Sequence, residues 1–269
     1  MRCSVDSLRR WVTYCFEAAG LAADESQVLA DVLVSADQCG VHSHGVVRLG
    51  AYARLVRSGV WRTGVRPRPV REGPSFLVLD GEGCVGPVAA VDGMRRCVEM
   101  ARRAGLAGVW VRRAGHFGRA GYYAELAAAE GMVGVALANA APSLAPWGGR
   151  ERVLGNNPLA VALPRRSAPP VVLDMALSVA AQGRVRLAAE RGDRLPPGWA
   201  LDPQGKPTDD PQQALAGTLL PVGGYKGYGL ALVVDVLTGV LSGGAFGTQV
   251  APARGSRFAA SHAFVAVDV

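Results

Sequence analysis

Gly81-Glu82-Gly83-Cys84-Val85-Gly86 follows an apolar run, Phe76 to Leu79, that reads as a strand. It precedes Pro87 to Ala104, which reads as a helix with proline in its first turn. Strand, G-x-G-x-x-G, helix is the context of a Rossmann dinucleotide fingerprint, with a pyrophosphate on the helix N-terminus. Arg112 and Arg113, at the end of the next predicted strand, would then be placed to take a 2′-phosphate. Two observations oppose this reading. Pro87 removes one of the N–H groups that would face the pyrophosphate. Glycine is 35 of 269 residues, so a short glycine pattern arises easily. The competing reading is a tight strand-to-helix turn.

Upstream, the first fifth of the chain reads as helical. Asp24-Glu25-Ser26-Gln27 resembles a capping box with Asp24 as cap, and Val28, Leu29, Val32, Leu33 and Ala36 form one stripe ended by Gly40. A third helix is expected from about Ser43 to Gly59. Downstream, strands are expected at Val109 to Val111, Met132 to Leu137, Leu159 to Leu163, Val171 to Leu173 and Phe264 to Val267. Helices are expected at Ala120 to Glu130 and Ser178 to Arg191, with an irregular polar excursion from Gly192 to Pro211. Gly227 to Leu241 reads as a helix too apolar to lie on a surface. The alternation predicts an α/β fold, with residues 1–62 as a helical segment and 63–269 as the α/β region.

Apolar residues make up 49% and charged residues 19%, so a sizeable core is available and disorder is excluded. The net charge is +7, and among the basic residues only Lys206 and Lys226 are lysine. The arginines are scattered pairs without interleaved aromatics, which argues against nucleic acid. Cys3, Cys15, Cys39, Cys84 and Cys97 are odd in number and contain no C-x-x-C, so a reducing cytoplasm is expected rather than a disulfide framework. No signal peptide or membrane span is read.

Chemistry-bearing residues gather in a few turns. Val41-His42-Ser43-His44-Gly45-Val46-Val47-Arg48 holds two of the four histidines. If Ser43 caps a helix, His44, Arg48 and Tyr52 share one face at i, i+4 and i+8. That face offers a titratable acid, a fixed cation and a phenol, which suits a 2-oxo acid. A plain helix start with a surface His and Arg is the alternative, as is a metal held by His42 and His44 with Asp37 or Cys39. His116, in Gly115-His116-Phe117-Gly118, lies between a predicted strand and helix, where ligands gather. Asn139, Gly155-Asn156-Asn157-Pro158 and Asp174 stand at further turns. Lys226 in Gly223-Gly224-Tyr225-Lys226-Gly227 is suited to a phosphate or carboxylate. Each turn also reads as simple punctuation.

Together these runs resemble the type-two malate/L-lactate dehydrogenase family, whose members include ureidoglycolate, sulfolactate, diketogulonate and piperideine-2-carboxylate enzymes. The matching runs are Ala36-Asp37 with Gly40 to Leu49, Gly115 to Tyr123, Asn139 with Ala145 to Pro158, and Asp174 to Ser178. They continue through Pro197 to Ala200, Pro207-Thr208 with Asp210-Pro211, and Gly223 to Leu232. The resemblance implies a non-Rossmann α/β fold, so Gly81 to Gly86 would not hold the cofactor. It implies an NAD(P)H-dependent reductase of a 2-oxo acid or cyclic 2-imino acid, working as a homodimer on a small carboxylate without metal. His44 would donate the proton, Arg48 clamp the carboxylate and His116 line the pocket. Ser43, Tyr52 and Asn157 are assigned to the substrate. Gly118, Asn139, Asp174, Met175, Ala176 and Lys226, with His116, are assigned to NAD or NADP, and the arginine excess tilts the choice toward NADPH. Asn156 and Leu177 stand where the family usually has Thr, and the family's C-terminal segment is expected to be missing after Val269. A shortened, non-catalytic or partner-dependent binding protein is the alternative function.

Overall fold

The structure, a computed structural model, describes residues 3–250 and 260–269. Three helices open the chain: α1 (Val5–Ala18), α2 (Ala23–Gln38) and α3 (Leu49–Arg57). Then come β1 (Arg68–Glu72), β2 (Phe76–Asp80), α4 (Gly86–Ala104), β3 (Leu106–Ala114), α5 (Ala120–Ala129), β4 (Met132–Ala138), β5 (Leu159–Leu163) and β6 (Val171–Met175). The remainder is α6 (Gln182–Arg191), β7 (Ala200–Leu201), β8 (Pro207–Thr208), α7 (Pro211–Ala216), β9 (Thr218–Leu219), α8 (Tyr225–Asp235) and β10 (Ala260–Asp268).

Seven strands form one sheet in the order β1-β2-β3-β10-β4-β5-β6. Only β2 and β3 run parallel, joined across α4, and every other pairing is antiparallel. A parallel pair needs such a crossover, which is why the glycine run looks like a Rossmann turn. The α/β expectation therefore holds without a doubly wound parallel sheet.

Side chains alternate across the sheet. Ala136, Ala138, Ala160, Ala162, Phe264 and Ala266 join α4 and α5 in one core. Leu137 and Ala263 face the opposite layer with Val185 of α6 and Ala231 and Val234 of α8. The small residues on the first face let both helices approach closely; a β-carbon on Gly134 would overlap the backbone of α5. The N-terminal helices close over a third cluster containing Phe16, Leu29, Leu33, Tyr52 and Trp61, which also takes in Val85 and Val88 beside α4.

Several local expectations change. Ala22, not Asp24, precedes α2 and offers no side-chain cap. Asp24 pairs with Arg66, while the fully buried Glu25 accepts from Thr63 Oγ1 at 2.6 Å and Gly64 N at 3.0 Å. The helix expected from Ser178 starts at Gln182, because Val179 N–H donates to Leu220 O instead. Short strands β7 and β8 interrupt the irregular stretch. Strand β1, unforeseen, is exposed along all five residues at the sheet edge. The apolar helix is real but lies partly on the surface of this chain: Leu230, Val233, Val236 and Val240 are 41–52% exposed. Beyond Asp235 it widens into a π-helical turn over Val236–Val240. Among the described residues no helix is long and apolar enough to cross a membrane.

Candidate active site

The loop after α2 is built around Asp37. Its Oδ1 lies 2.7 Å from His42 Nδ1, and its Oδ2 accepts from Val46 N at 2.8 Å. Gly45 is packed against this carboxylate so closely that a β-carbon would overlap it. Two 3-10 turns result, His42–His44 and Val46–Arg48, separated by Gly45 in an extended conformation. The single helix expected from Ser43 is therefore broken, and α3 begins only at Leu49. His44, Arg48 and Tyr52 do not share a helical face by i, i+4 spacing.

They nevertheless converge, through His116. The His44 and His116 rings stack with centroids 5.5 Å apart and planes 16° from parallel. Tyr52, buried against Trp61, places its hydroxyl 2.6 Å from His116 Nδ1. Gly118 N–H donates to the same nitrogen at 3.2 Å. An amide N–H can only donate, so His116 Nδ1 is a bare acceptor. The ring proton then sits on Nε2. Gly118 has φ +87° and its amide serves His116.

Burial, with Arg48 adding to it, pushes His44 down to about 4. Burial also drives His116 well below its ordinary value, with His44, Arg48 and His262 contributing. Tyr52 is raised by burial and so keeps its proton. Ser43 Oγ lies 3.0 Å from His44 Nδ1, leaving Nε2 as the free ring nitrogen. Arg48 Nε donates to Ser43 O at 2.8 Å, and its guanidinium has no ion pair among the described residues. The cluster thus holds two neutral imidazoles, a neutral phenol and one unpaired cation. Such a set has the chemistry to hold an anion and to exchange a proton.

Other expected residues fall elsewhere. Asn157 is fully buried at φ +30°; its Oδ1 accepts from Ala140 N and its Nδ2 donates to Ala231 O. Asn139 likewise donates to Ala245 O and accepts from Ser261 N. Each amide thus donates one bond and accepts one, tying the loop after β4 to α8, β10 and the turn at Ala245. Asp174 accepts from Gly121 N at 2.9 Å and lies 3.8 Å from Arg119, whose guanidinium is held by Glu125. Burial raises its pKa against the Gly121 bond. Its carboxylate is committed to the start of α5, and the half-buried Met175 and Ala176 follow at the strand end. Gly183, at the start of α6, abuts Ser43.

The glycine run is not a phosphate cradle. Asp80, at its head, accepts from Arg112 Nε at 3.0 Å and Arg113 Nε at 2.7 Å. Both arginines proposed for a 2′-phosphate are thereby paired internally. Gly86 instead makes room for the backbone of Gly115 and His116. Lys226 is exposed in the first turn of α8, after Gly223 and Gly224 at φ +62° and +67°, and its ammonium is open to an anion. Among the described residues no three His, Cys, Asp or Glu side chains gather as a metal site. The sequence does not single out His262, and it offers Asp37 only as an alternative metal ligand and as part of a matching run, not as the carboxylate that shapes the loop.

Residues 3–269 match the family model described as malate/L-lactate dehydrogenase. A malate dehydrogenase of Pyrococcus abyssi is 38% identical over 277 residues, covering 100% of this chain and 76% of that protein. A (2R)-3-sulfolactate dehydrogenase (NADP(+)) of Chromohalobacter salexigens is 41% identical over 233 residues, covering 87% and 70%. The crystal structure of Δ1-piperideine-2-carboxylate reductase from Pseudomonas syringae superposes with a TM-score of 0.91 at 30% identity, covering 100% of this chain and 82% of that one.

Proposed function

The chain belongs to the malate/L-lactate dehydrogenase family, and we propose that its His44–His116 cluster interconverts a small 2-hydroxy acid and its 2-oxo acid, or reduces a cyclic 2-imino acid, with NAD(P)(H). The observation that carries this reading is the unpaired Arg48 guanidinium beside two neutral imidazoles. The named relatives are dehydrogenases and a reductase, and the substrates in their names are all small carboxylates.

In this reading residues 1–62 supply the proton and the anion clamp, and residues 63–269 supply the pocket. Arg48 holds the substrate carboxylate, with Ser43 beside it. When bound, the nicotinamide accepts the hydride from C2 of the hydroxy acid, or returns it in reduction. Neutral His44 takes the hydroxyl proton on Nε2 during oxidation. During reduction its imidazolium gives that proton back. A carboxylate seated on Arg48 cancels the charge that disfavours this imidazolium. His116 Nε2–H is free to donate to the substrate oxygen or the carboxamide of the nicotinamide. Lys226 and the glycines before it suit the cofactor's phosphates, and the strand end at Met175 and Ala176 suits the nicotinamide.

The exposed apolar strip of α8 supports a homodimer, since apolar surface of this kind is normally covered. Titration with NADH and NADPH, followed by turnover assays with malate, 3-sulfolactate and Δ1-piperideine-2-carboxylate, tests the proposal. Saturable binding, tighter for NADPH, and turnover of at least one acid are expected; absence of nicotinamide binding overturns it. Light scattering at micromolar concentration is expected to give twice the chain mass.

A further inference from the structure

His262 has no task in the chemistry above, yet it is fully buried in the middle of the sheet. Its Nε2 lies 2.9 Å from Gly115 O. A carbonyl only accepts, so Nε2 carries the proton and Nδ1 is bare. Among the described residues no partner meets that Nδ1. A buried acceptor without a partner destabilises the fold, and a phenylalanine here would avoid that cost. Burial keeps the ring neutral, pushing it down to about 4. Among the described residues its ring makes one hydrogen bond, to the peptide immediately before His116.

We propose that His262 is a positioning residue for His116: its Nε2–H holds the Gly115 carbonyl and so sets the plane of the His116 ring. The inference rests on the reading that His116 serves the reaction. Around this peptide every other side is closed. Gly115 abuts the Trp61 indole, and Gly86 abuts the His116 carbonyl. The next carbonyl, Phe117 O, accepts from Tyr123 OH, and the Phe117 ring stacks on both Tyr123 and His262, with centroids 4.9 and 4.6 Å away. Strand β10 slips register against β3 between Ala260 and His262, the kind of bulge that re-aims a side chain. The backbone on either side of His116 is thus gripped from two elements, β10 and α5. Its side chain meets Tyr52 and Gly118 only while that backbone stays in place. Releasing Gly115 O lets the loop rotate, and both bonds to Nδ1 lengthen.

The test uses His262→Phe, which keeps an aromatic for Phe117 but deletes both ring nitrogens, and His262→Gln, whose amide returns a donor near the Nε2 position. His262→Asn adds a buried amide too short to reach Gly115 O, so the Asn and Gln pair gives the same contrast if the Phe variant does not fold. Histidine ¹⁵N NMR of the ligand-free protein reads His116 directly. Wild type and His262→Gln are expected to show His116 Nδ1 bare and Nε2 protonated; His262→Phe and His262→Asn are expected to show mixed tautomers. The melting temperature of His262→Phe should equal or exceed that of wild type. Its turnover of the best acid found above should fall about tenfold or more, because small misplacements of a reacting group are costly. Unchanged His116 resonances in both His262→Phe and His262→Asn overturn the proposal. So does an activity loss that follows the loss of melting temperature in His262→Gln as well as His262→Asn. Changed resonances with unchanged turnover uphold the clamp and overturn the role of His116 in the reaction.

Discussion

Gly86 lies directly against the carbonyl oxygen of His116, with no space between them for a β-carbon. The last glycine of the G-x-G-x-x-G run thus serves a close approach inside the protein, seating the loop that carries His116. Gly86→Ala should cost about 1–3 kcal/mol by overpacking and lower turnover with it. Gly83, at φ +76°, should cost about 1–2 kcal/mol as alanine while leaving cofactor Kd unchanged. Chemical unfolding and nicotinamide fluorescence separate the two effects. A selective rise in Kd without loss of stability would restore a phosphate role for this run.

His44→Ala should lower turnover by about 10²–10⁴-fold, the usual cost of removing a positioned acid or base. Cofactor binding should survive, because the ring is needed for proton exchange at the substrate oxygen. Turnover close to wild type would remove His44 from the reaction. Stopped-flow measurement of the hydride step gives the clearest reading.

Arg48→Lys should raise KM for a carboxylate substrate far more than it changes stability, since lysine cannot form the planar two-point bond. Arg48→Gln should also move His44. Removing the neighbouring cation lets the imidazolium form more easily, so its pKa rises from about 4, while burial still holds it below 6.5. An NMR titration of His44 in the free protein checks this without any substrate. No upward movement would mean that Arg48 does not act on His44.

Three histidines, His44, His116 and His262, have folded-state pKa values below the ordinary value. Between that value and their own, the unfolded chain binds protons that the folded chain refuses. Stability should therefore be full above pH 6.5 and fall as pH drops toward 4. For His262 alone the gap corresponds to on the order of 3 kcal/mol. Asp174 and the buried Asp235, with raised values, act in the opposite direction at the acid end. Urea unfolding at pH 7, 5.5 and 4.5 should show the decline, and His262→Phe should flatten it. An equal slope in that variant would show that His262 titrates normally.

Much of this was legible from one sequence, though not always for the right reason. Pro87 lies in the first turn of α4 and Ala104 ends it as expected, with Gly105 following at φ +80°. Strand β1, Arg68-Pro69-Val70-Arg71-Glu72, shows no buried face because it has none, so periodicity could not find it. The sequence groups His44, Arg48 and Tyr52 by a helical spacing that the structure breaks, and reaches His116 separately, through its own turn and the family resemblance. Gly45 and Asp37, eight residues apart, break the helix through a contact that no local pattern records. The internal bonds of Asn139 and Asn157 were not legible, because an amide that binds backbone carbonyls looks the same in sequence as one that binds a ligand. His262 sits 147 residues from the carbonyl it holds, beyond any motif.

Strand β10 lies between β3 and β4, although both of those are made more than a hundred residues earlier. During synthesis the sheet must therefore wait as two separate ribbons, β1-β2-β3 and β4-β5-β6, each with a bare inner edge. Those edges are templates for mispairing until residues 260–268 emerge and join them. The same late insertion brings His262 to the Gly115 carbonyl. A nascent chain thus cannot bring the His262 ring to the loop that carries His116 before its sheet is whole, and the step that closes the two bare edges also completes that loop's contacts.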